Sequence, residues 1–110
     1  MRRGELYRVE RATQTDTKES RVYVVVSRSE VIQSRYSTVI CAPVYTAYAG
    51  LETQVPVGLD EGLKHESSIH CDALVSIYKT RLADYVGQLS PTQMERLNRA
   101  LLVALDLDTP

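Results

Sequence analysis

Two histidines, two cysteines and thirteen arginines and lysines are the side chains of this 110-residue sequence that invite chemistry, and their spacing excludes most of it. His70-Cys71-Asp72 sets three metal-ligand types in a row. Neighbouring residues of a strand point to opposite faces, however, and cannot converge on one ion. Cys41 and Cys71 lie thirty residues apart in apolar segments, which is the spacing of neither a metal site nor a disulfide framework, so both are expected as buried thiols. His65 falls in a polar stretch and His70 in an apolar one; surface and core roles are the plain expectation, with acid-base work as the alternative. There is no Gly-rich phosphate loop, no Cys-x-x-Cys pair, no His-Glu-x-x-His and no Gly-x-Ser-x-Gly elbow. Neither a metal nor a cofactor is expected.

The cations are unevenly spread. Residues 1–35 carry eight arginines and lysines against five acids, whereas residues 36–110 carry five against nine, so a net charge of −1 conceals a basic first third and an acidic remainder. Such asymmetry suits a basic surface offered to a polyanion, and a solvated mixed-charge surface is the simpler alternative. At 44% hydrophobic and 25% charged, the chain is long enough for one core and too short for two independent domains. No run approaches 18 apolar residues, and the opening MRRGELYRVE is polar where a secretory signal needs its apolar region, so a cytoplasmic protein is expected.

These side chains need a scaffold, and the periodicity supplies one. A first strand is expected over 4–9, then a loop of turn-forming residues over 11–20. Arg21-Val-Tyr-Val-Val-Val-Ser27 and Thr38-Val-Ile-Cys-Ala-Pro-Val-Tyr-Thr46 are β-branched runs that read as central strands, with Pro43 implying an edge or a bulge in the second. Between them, 29–33 makes one helical turn capped by Ser27 or Ser29. Residues 47–51 read as a turn, 53–57 as a short strand demoted by Pro56, 58–66 as polar loop, 67–77 as one further strand and 85–89 as a last one. Ser90-Pro-Thr-Gln93 then combines an N-cap, a proline at the first helical position and a capping-box glutamine. Met94, Leu97, Leu101 and Leu105 follow at helical spacing, predicting about four turns with one apolar stripe. Short strands closed by one terminal amphipathic helix give a mostly β fold, a small barrel with a cap.

The order of these pieces resembles a known family. Arg3-Gly4-Glu5-Leu6-Tyr7 is similar to the Arg-Gly-Asp/Glu-Ile/Val-Tyr opening of MazF/PemK toxins, the 21–27 run to their Arg-Pro-Val-Leu-Val-Ile-Ser, and the 38–46 run to their Thr-Val-Ile-Val-Ala-Pro-Ile-Thr block. Thr53-Gln-Val-Pro-Val57, Gly62-Leu63, Glu66-Ser-Ser68, Arg81-Leu82 and Val86-Gly87-Gln88-Leu89 resemble the later elements Thr-His-Val, Gly-Leu, Asp-Ser and Arg-Leu…Ile-Gly-x-Leu. The likeness runs from Arg3 to Leu107. Three departures stand out: Val22 replaces the usual proline, the first loop lacks the Gly-x-Glu-x-x-Gly pattern, and 28–34 differs from the usual Asn-Asp pair.

The resemblance implies an SH3-like barrel that dimerises, an antitoxin of the MazE kind as partner, and metal-independent cutting of single-stranded RNA at preferred sequences. It makes Arg21 and Thr46 the catalytic pair. The RNA's own 2′-OH would be the nucleophile, leaving a 2′,3′-cyclic phosphate and a 5′-OH, and a guanidinium suits the charge that develops on the phosphoryl oxygens. RNA binding is expected from the flanking loops, through Arg11, Lys18, Ser20 and Tyr48, and from Ser27, Arg28 and Arg35. Two other readings share the barrel: a noncatalytic gyrase-binding toxin of the CcdB type, and an RNA-binding barrel without activity. The Arg21 and Thr46 match favours the nuclease over the first, and loss of cutting on mutating Arg21 separates it from the second.

Overall fold

The runs at 21–27 and 38–46 lack alternation because both faces of the strands they form are covered. In the computed structural model, which describes residues 1–10 and 21–108, β1 (Glu5–Val9), β2 (Arg21–Val25) and β3 (Thr38–Tyr45) make an antiparallel meander. Val24, Ala42 and Val44 turn to one core with Leu6, Ile69, Leu97 and Ala100. Val25, Val39 and Cys41 turn to the other with Tyr7, Val9, Ile77 and Leu82, and Val31 and Ile32 pack against it. Those two residues belong to the short helix α1 (Ser29–Gln33). The remaining strands are β4 (Gln54–Val57), β5 (Ser67–His70), β6 (Val75–Tyr78) and β7 (Asp84–Gln88). The strand order is β4-β5-β3-β2-β1-β7, with β6 also paired to β3. The mostly β fold closed by a C-terminal helix is what the periodicity predicts, and its strands form one curled antiparallel sheet.

Several local expectations are corrected. The 67–77 run is two strands, because β3 advances only from Cys41 to Val44 while its partner chain advances from Val75 back to Ile69. The surplus residues form the 3-10 turn Cys71–Ala73, which also removes Cys71 from any strand alternation with His70. Pro43 lies in a central strand, at neither an edge nor a bulge; pairing with β6 stops at Cys41 and pairing with β5 begins at Val44, so its missing N–H falls in the break. Pro56, by contrast, is on the edge strand as expected. α1 is preceded by Arg28 as N-cap, without a side-chain cap, since the Ser27 hydroxyl instead accepts the Ile40 amide at 2.7 Å.

The terminal helix α2 (Pro91–Ala104) starts where Ser90 predicts it to, with the Ser90 hydroxyl accepting the Gln93 amide at 3.2 Å. The capping box is not closed. α2 packs against β4, and Gln93 reaches across to donate Nε2 to the Pro56 carbonyl at 2.7 Å. The buried stripe is Leu97 and Ala100, flanked by Met94, Leu101 and Ala104. Leu105 lies past the helix end and is exposed. Among the described residues no helix is long and apolar enough to cross a membrane.

Gly62 and Gly87 lock the 58–62 turn onto β7. A Cβ on Gly87 would stand 2.1 Å from the Glu61 carbonyl oxygen, and one on Gly62, whose φ is +91°, 2.3 Å from that of Val86. Only two backbones without side chains approach this closely. Burial pushes the Cys41 thiol up to about 12, and burial with the nearby Asp72 carboxylate pushes Cys71 up to about 11, so both are neutral packing groups.

Candidate functional site

Arg21 begins β2 opposite Val9, and the β2–β3 register, which pairs Tyr23 with Pro43, carries it to a position facing Tyr45 at the end of β3. The two side chains meet. Arg21 Nη1 donates to the Tyr45 hydroxyl at 3.1 Å, and its Cζ lies 4.7 Å from the centroid of the Tyr45 ring. A hydrogen bond and a cation–π contact together restrict a side chain that otherwise has many rotamers.

Thr46 follows in an exposed bend, at the same end of the β2–β3 ladder. The residues on either side of it are held. Tyr45 and the His70 imidazole meet in a T-shaped contact, centroid to centroid 4.7 Å at 85°. The Ala47 carbonyl accepts the Ser68 hydroxyl and lies 3.1 Å from His70 Nε2, which is itself 2.9 Å from Ser68 Oγ. Ser68 pairs with Tyr45 in the ladder, and His70, two residues on, shares its face of β5. Further along the loop, Ala49 N–H donates to Gln54 Oε1 at 2.8 Å. Tyr48 is 56% exposed and lines an open hollow of about 480 Å³ with Leu51, Glu52, Gln54, Arg96 and Arg99.

The other expected RNA contacts are not gathered here. Arg28 and Arg35 lie beyond the opposite end of the ladder from Arg21 and Thr46, a distance of about 25 Å along an eight-residue strand. Arg28 stands 3.9 Å from Glu30, and both side chains are largely exposed. Ser27 is buried, with its hydroxyl engaged by Ile40, so it faces the interior. Arg11, Lys18 and Ser20 lie outside the described residues.

Sequence reasoning missed Tyr45, Ser68 and His70. Tyr45 reads as one more strand aromatic, and His70 as a surface or core residue. The i, i+2 spacing of Ser68 and His70 puts both on one strand face, and only the pairing of β5 with the end of β3 brings them to the Thr46 bend. Among the described residues no group of three His, Cys, Asp or Glu side chains is placed to hold a metal ion. The arrangement offers one oriented guanidinium beside an exposed hydroxyl-bearing bend, a combination suited to stabilising negative charge on a phosphoryl group.

Comparison with known proteins bears on that arrangement. Residues 2–105 match the family model described as PemK-like, MazF-like toxin of type II toxin-antitoxin system. Over 85 residues, 77% of this chain and 82% of the relative, the sequence is 34% identical to Endoribonuclease MazF3 of Mycobacterium tuberculosis. The structure of the Mycobacterium tuberculosis toxin MazF-mt6 is similar with a TM-score of 0.81 at 28% identity, over 96% of this chain and 99% of that one. A mycobacterial endoribonuclease solved in complex with its cognate antitoxin gives a TM-score of 0.85 over 100% and 99% of the two chains, and at 24% identity this is a likeness of fold.

Proposed function

Because the chain belongs to the family of PemK-like, MazF-like toxins of type II toxin-antitoxin systems, we propose that it is an endoribonuclease that cuts single-stranded RNA at preferred sequences without a metal ion. The observation that carries this reading is the meeting of Arg21 and the Thr46 bend at one end of the β2–β3 ladder, with the guanidinium already held on Tyr45.

In the proposed reaction the RNA's 2′-oxygen attacks the adjacent phosphorus, the O2′–P bond forms, and the bond from phosphorus to the 5′-oxygen breaks. The 2′-OH gives up its proton and the departing 5′-oxygen takes one. The products are a 2′,3′-cyclic phosphate and a 5′-OH. Arg21 hydrogen-bonds the phosphoryl oxygens as their negative charge grows, and being held beforehand it need not be ordered in the transition state. A guanidinium keeps its charge in proteins, which makes Arg21 an electrostatic stabiliser in the first place and a poor free base. The Thr46 hydroxyl orients an oxygen or relays a proton. DNA, lacking the 2′-OH, is not cut.

Recognition of bases falls to the 47–52 loop with Tyr48 and to Arg11, Lys18 and Ser20; Arg28 and Arg35 contact phosphates only on an RNA long enough to reach the far end of the sheet. The whole chain acts as one toxin domain, in the cytoplasm, where its RNA substrate is made and read. It pairs with itself: Ile40 and Tyr78 are exposed on one face of the β3–β6 pair, next to exposed Tyr36, and such apolar side chains favour a symmetric contact. Its activity is held in check by an antitoxin, as the mycobacterial relative solved with its own antitoxin supports.

The test is incubation of purified protein with a long single-stranded RNA and a matching DNA in excess chelator, alongside Arg21→Ala and Thr46→Ala. Discrete cuts in RNA alone, lost in both variants, are expected. Intact RNA throughout, or cuts that persist in both variants, refutes the reading.

A further inference from the structure

Beyond the pair that the family likeness assigns, we infer that His70 is a positioning residue: with Ser68 it clamps the Ala47 carbonyl and the Tyr45 ring, and so fixes Arg21 and the Thr46 bend relative to each other. The inference rests on the nuclease reading for its effect on rate, and on geometry alone for the clamp itself.

Two backbone positions flank Thr46, and β5 reaches both. The His70 ring packs at a right angle on that of Tyr45, whose face and hydroxyl carry the Arg21 guanidinium. The same imidazole puts Nε2 at 3.1 Å from the Ala47 carbonyl and 2.9 Å from Ser68 Oγ. The hydrogen-bond roles follow by elimination. The Ser68 hydroxyl has one proton and donates it to the Ala47 carbonyl, so it accepts from His70. Nε2 therefore carries a proton, shared between Ser68 Oγ and the Ala47 carbonyl. That donation persists whether Nδ1 is protonated or not, so the clamp does not depend on the charge of the ring.

A bend in an exposed loop is normally its most mobile part. Here the carbonyl of Ala47, the residue after Thr46, is tied by two donors from one strand, and the ring of Tyr45, the residue before it, touches both Arg21 and His70. Removing His70 takes away the aromatic contact on Tyr45 and one of the two donors to the Ala47 carbonyl. Displacement of a reacting group by about 1 Å costs on the order of 100-fold in rate, which sets the scale expected for a loosened clamp.

The experiment compares wild type, His70→Ala and His70→Gln by two readouts. One is the side-chain Nε–H resonance of Arg21, which stacking on the Tyr45 ring shifts upfield; the other is cleavage of a single-site RNA. In His70→Ala the resonance moves to the position of an exposed arginine, and kcat falls about 10- to 100-fold with KM within about threefold. In His70→Gln, whose amide can donate from near the Nε2 position, the resonance stays near its wild-type position and kcat stays within about threefold of wild type. A merely structural role would lower the melting temperature and leave the Arg21 resonance of the folded fraction unmoved. An unmoved resonance in folded His70→Ala overturns the clamp whether or not the protein cuts RNA. Wild-type protein that cuts no RNA instead refutes the nuclease reading, and the resonance still decides the clamp.

Discussion

Replacing Tyr45 by Phe deletes one atom and isolates what holds Arg21. The lost oxygen accepts the guanidinium at 3.1 Å while the ring that carries the cation–π contact remains. A net hydrogen bond to a charged group is worth about 1.5–3 kcal/mol when shielded, and at this half-exposed site about 1 kcal/mol remains. If the proposed chemistry needs Arg21 in this place, Tyr45→Phe lowers kcat/KM about fivefold. Tyr45→Ala removes the ring as well, a further 0.5–1 kcal/mol or so, for a total loss of about 10- to 30-fold. The assay is initial-rate cleavage of a fluorogenic single-site RNA, with dispersed amide spectra confirming that both variants fold. Values within twofold of wild type for both variants would show that Arg21 is held from elsewhere. A rise in KM at constant kcat would assign Tyr45 to RNA binding and refute its role in holding Arg21.

Two predictions concern the scaffold. Gly87→Ala drives a Cβ into the Glu61 carbonyl, backbone against backbone, and is expected to cost about 3 kcal/mol, or roughly 10–20 °C in melting temperature by calorimetry; a variant that melts within 2 °C of wild type would mean the turn yields freely. Alkaline pH acts through the buried thiols: with folded pKa values of about 12 and about 11 against an ordinary 9.0, the unfolded chain releases protons that the folded chain retains. Stability is therefore full below about pH 9 and falls as pH rises toward 11, by up to about 1.4 kcal/mol per pH unit for each thiol. Urea midpoints measured from pH 8 to 10.5, compared with a Cys41→Ala/Cys71→Ala double variant whose midpoint declines less, test this; identical slopes would refute it.

What the sequence makes legible here is periodicity, and what it hides is register. The apolar runs at 21–27 and 38–46 announce buried central strands, and Ser90-Pro-Thr-Gln93 announces the start of α2 to the residue. The break at Cys71–Ala73 was not legible, because the surplus residues exist only relative to β3. The same holds for Gln93, whose side chain follows β4 instead of its own helix, and for Ser27, which supports β3 from within. Arg28 and Arg35 read as neighbours of Arg21 along a basic stretch, yet the strand between them carries them to the other end of the sheet. Conversely, Ser68 and His70 are far from Thr46 in sequence and reach its bend through one antiparallel pairing. The Gly-Leu and Ile-Gly-x-Leu-like elements look like separate motifs, and the structure shows a single contact between them.

The proposed cleavage turns on a nucleophile supplied by the RNA. Its most direct test is a short RNA spanning a mapped cleavage site in which only the nucleotide on the 5′ side of the cut carries a 2′-deoxy sugar, offered to wild-type protein beside the all-ribose strand. The all-ribose strand is expected to be cut to a 2′,3′-cyclic phosphate and a 5′-OH while the substituted strand binds with comparable affinity and stays whole. Cleavage of the substituted strand at the same position would contradict it.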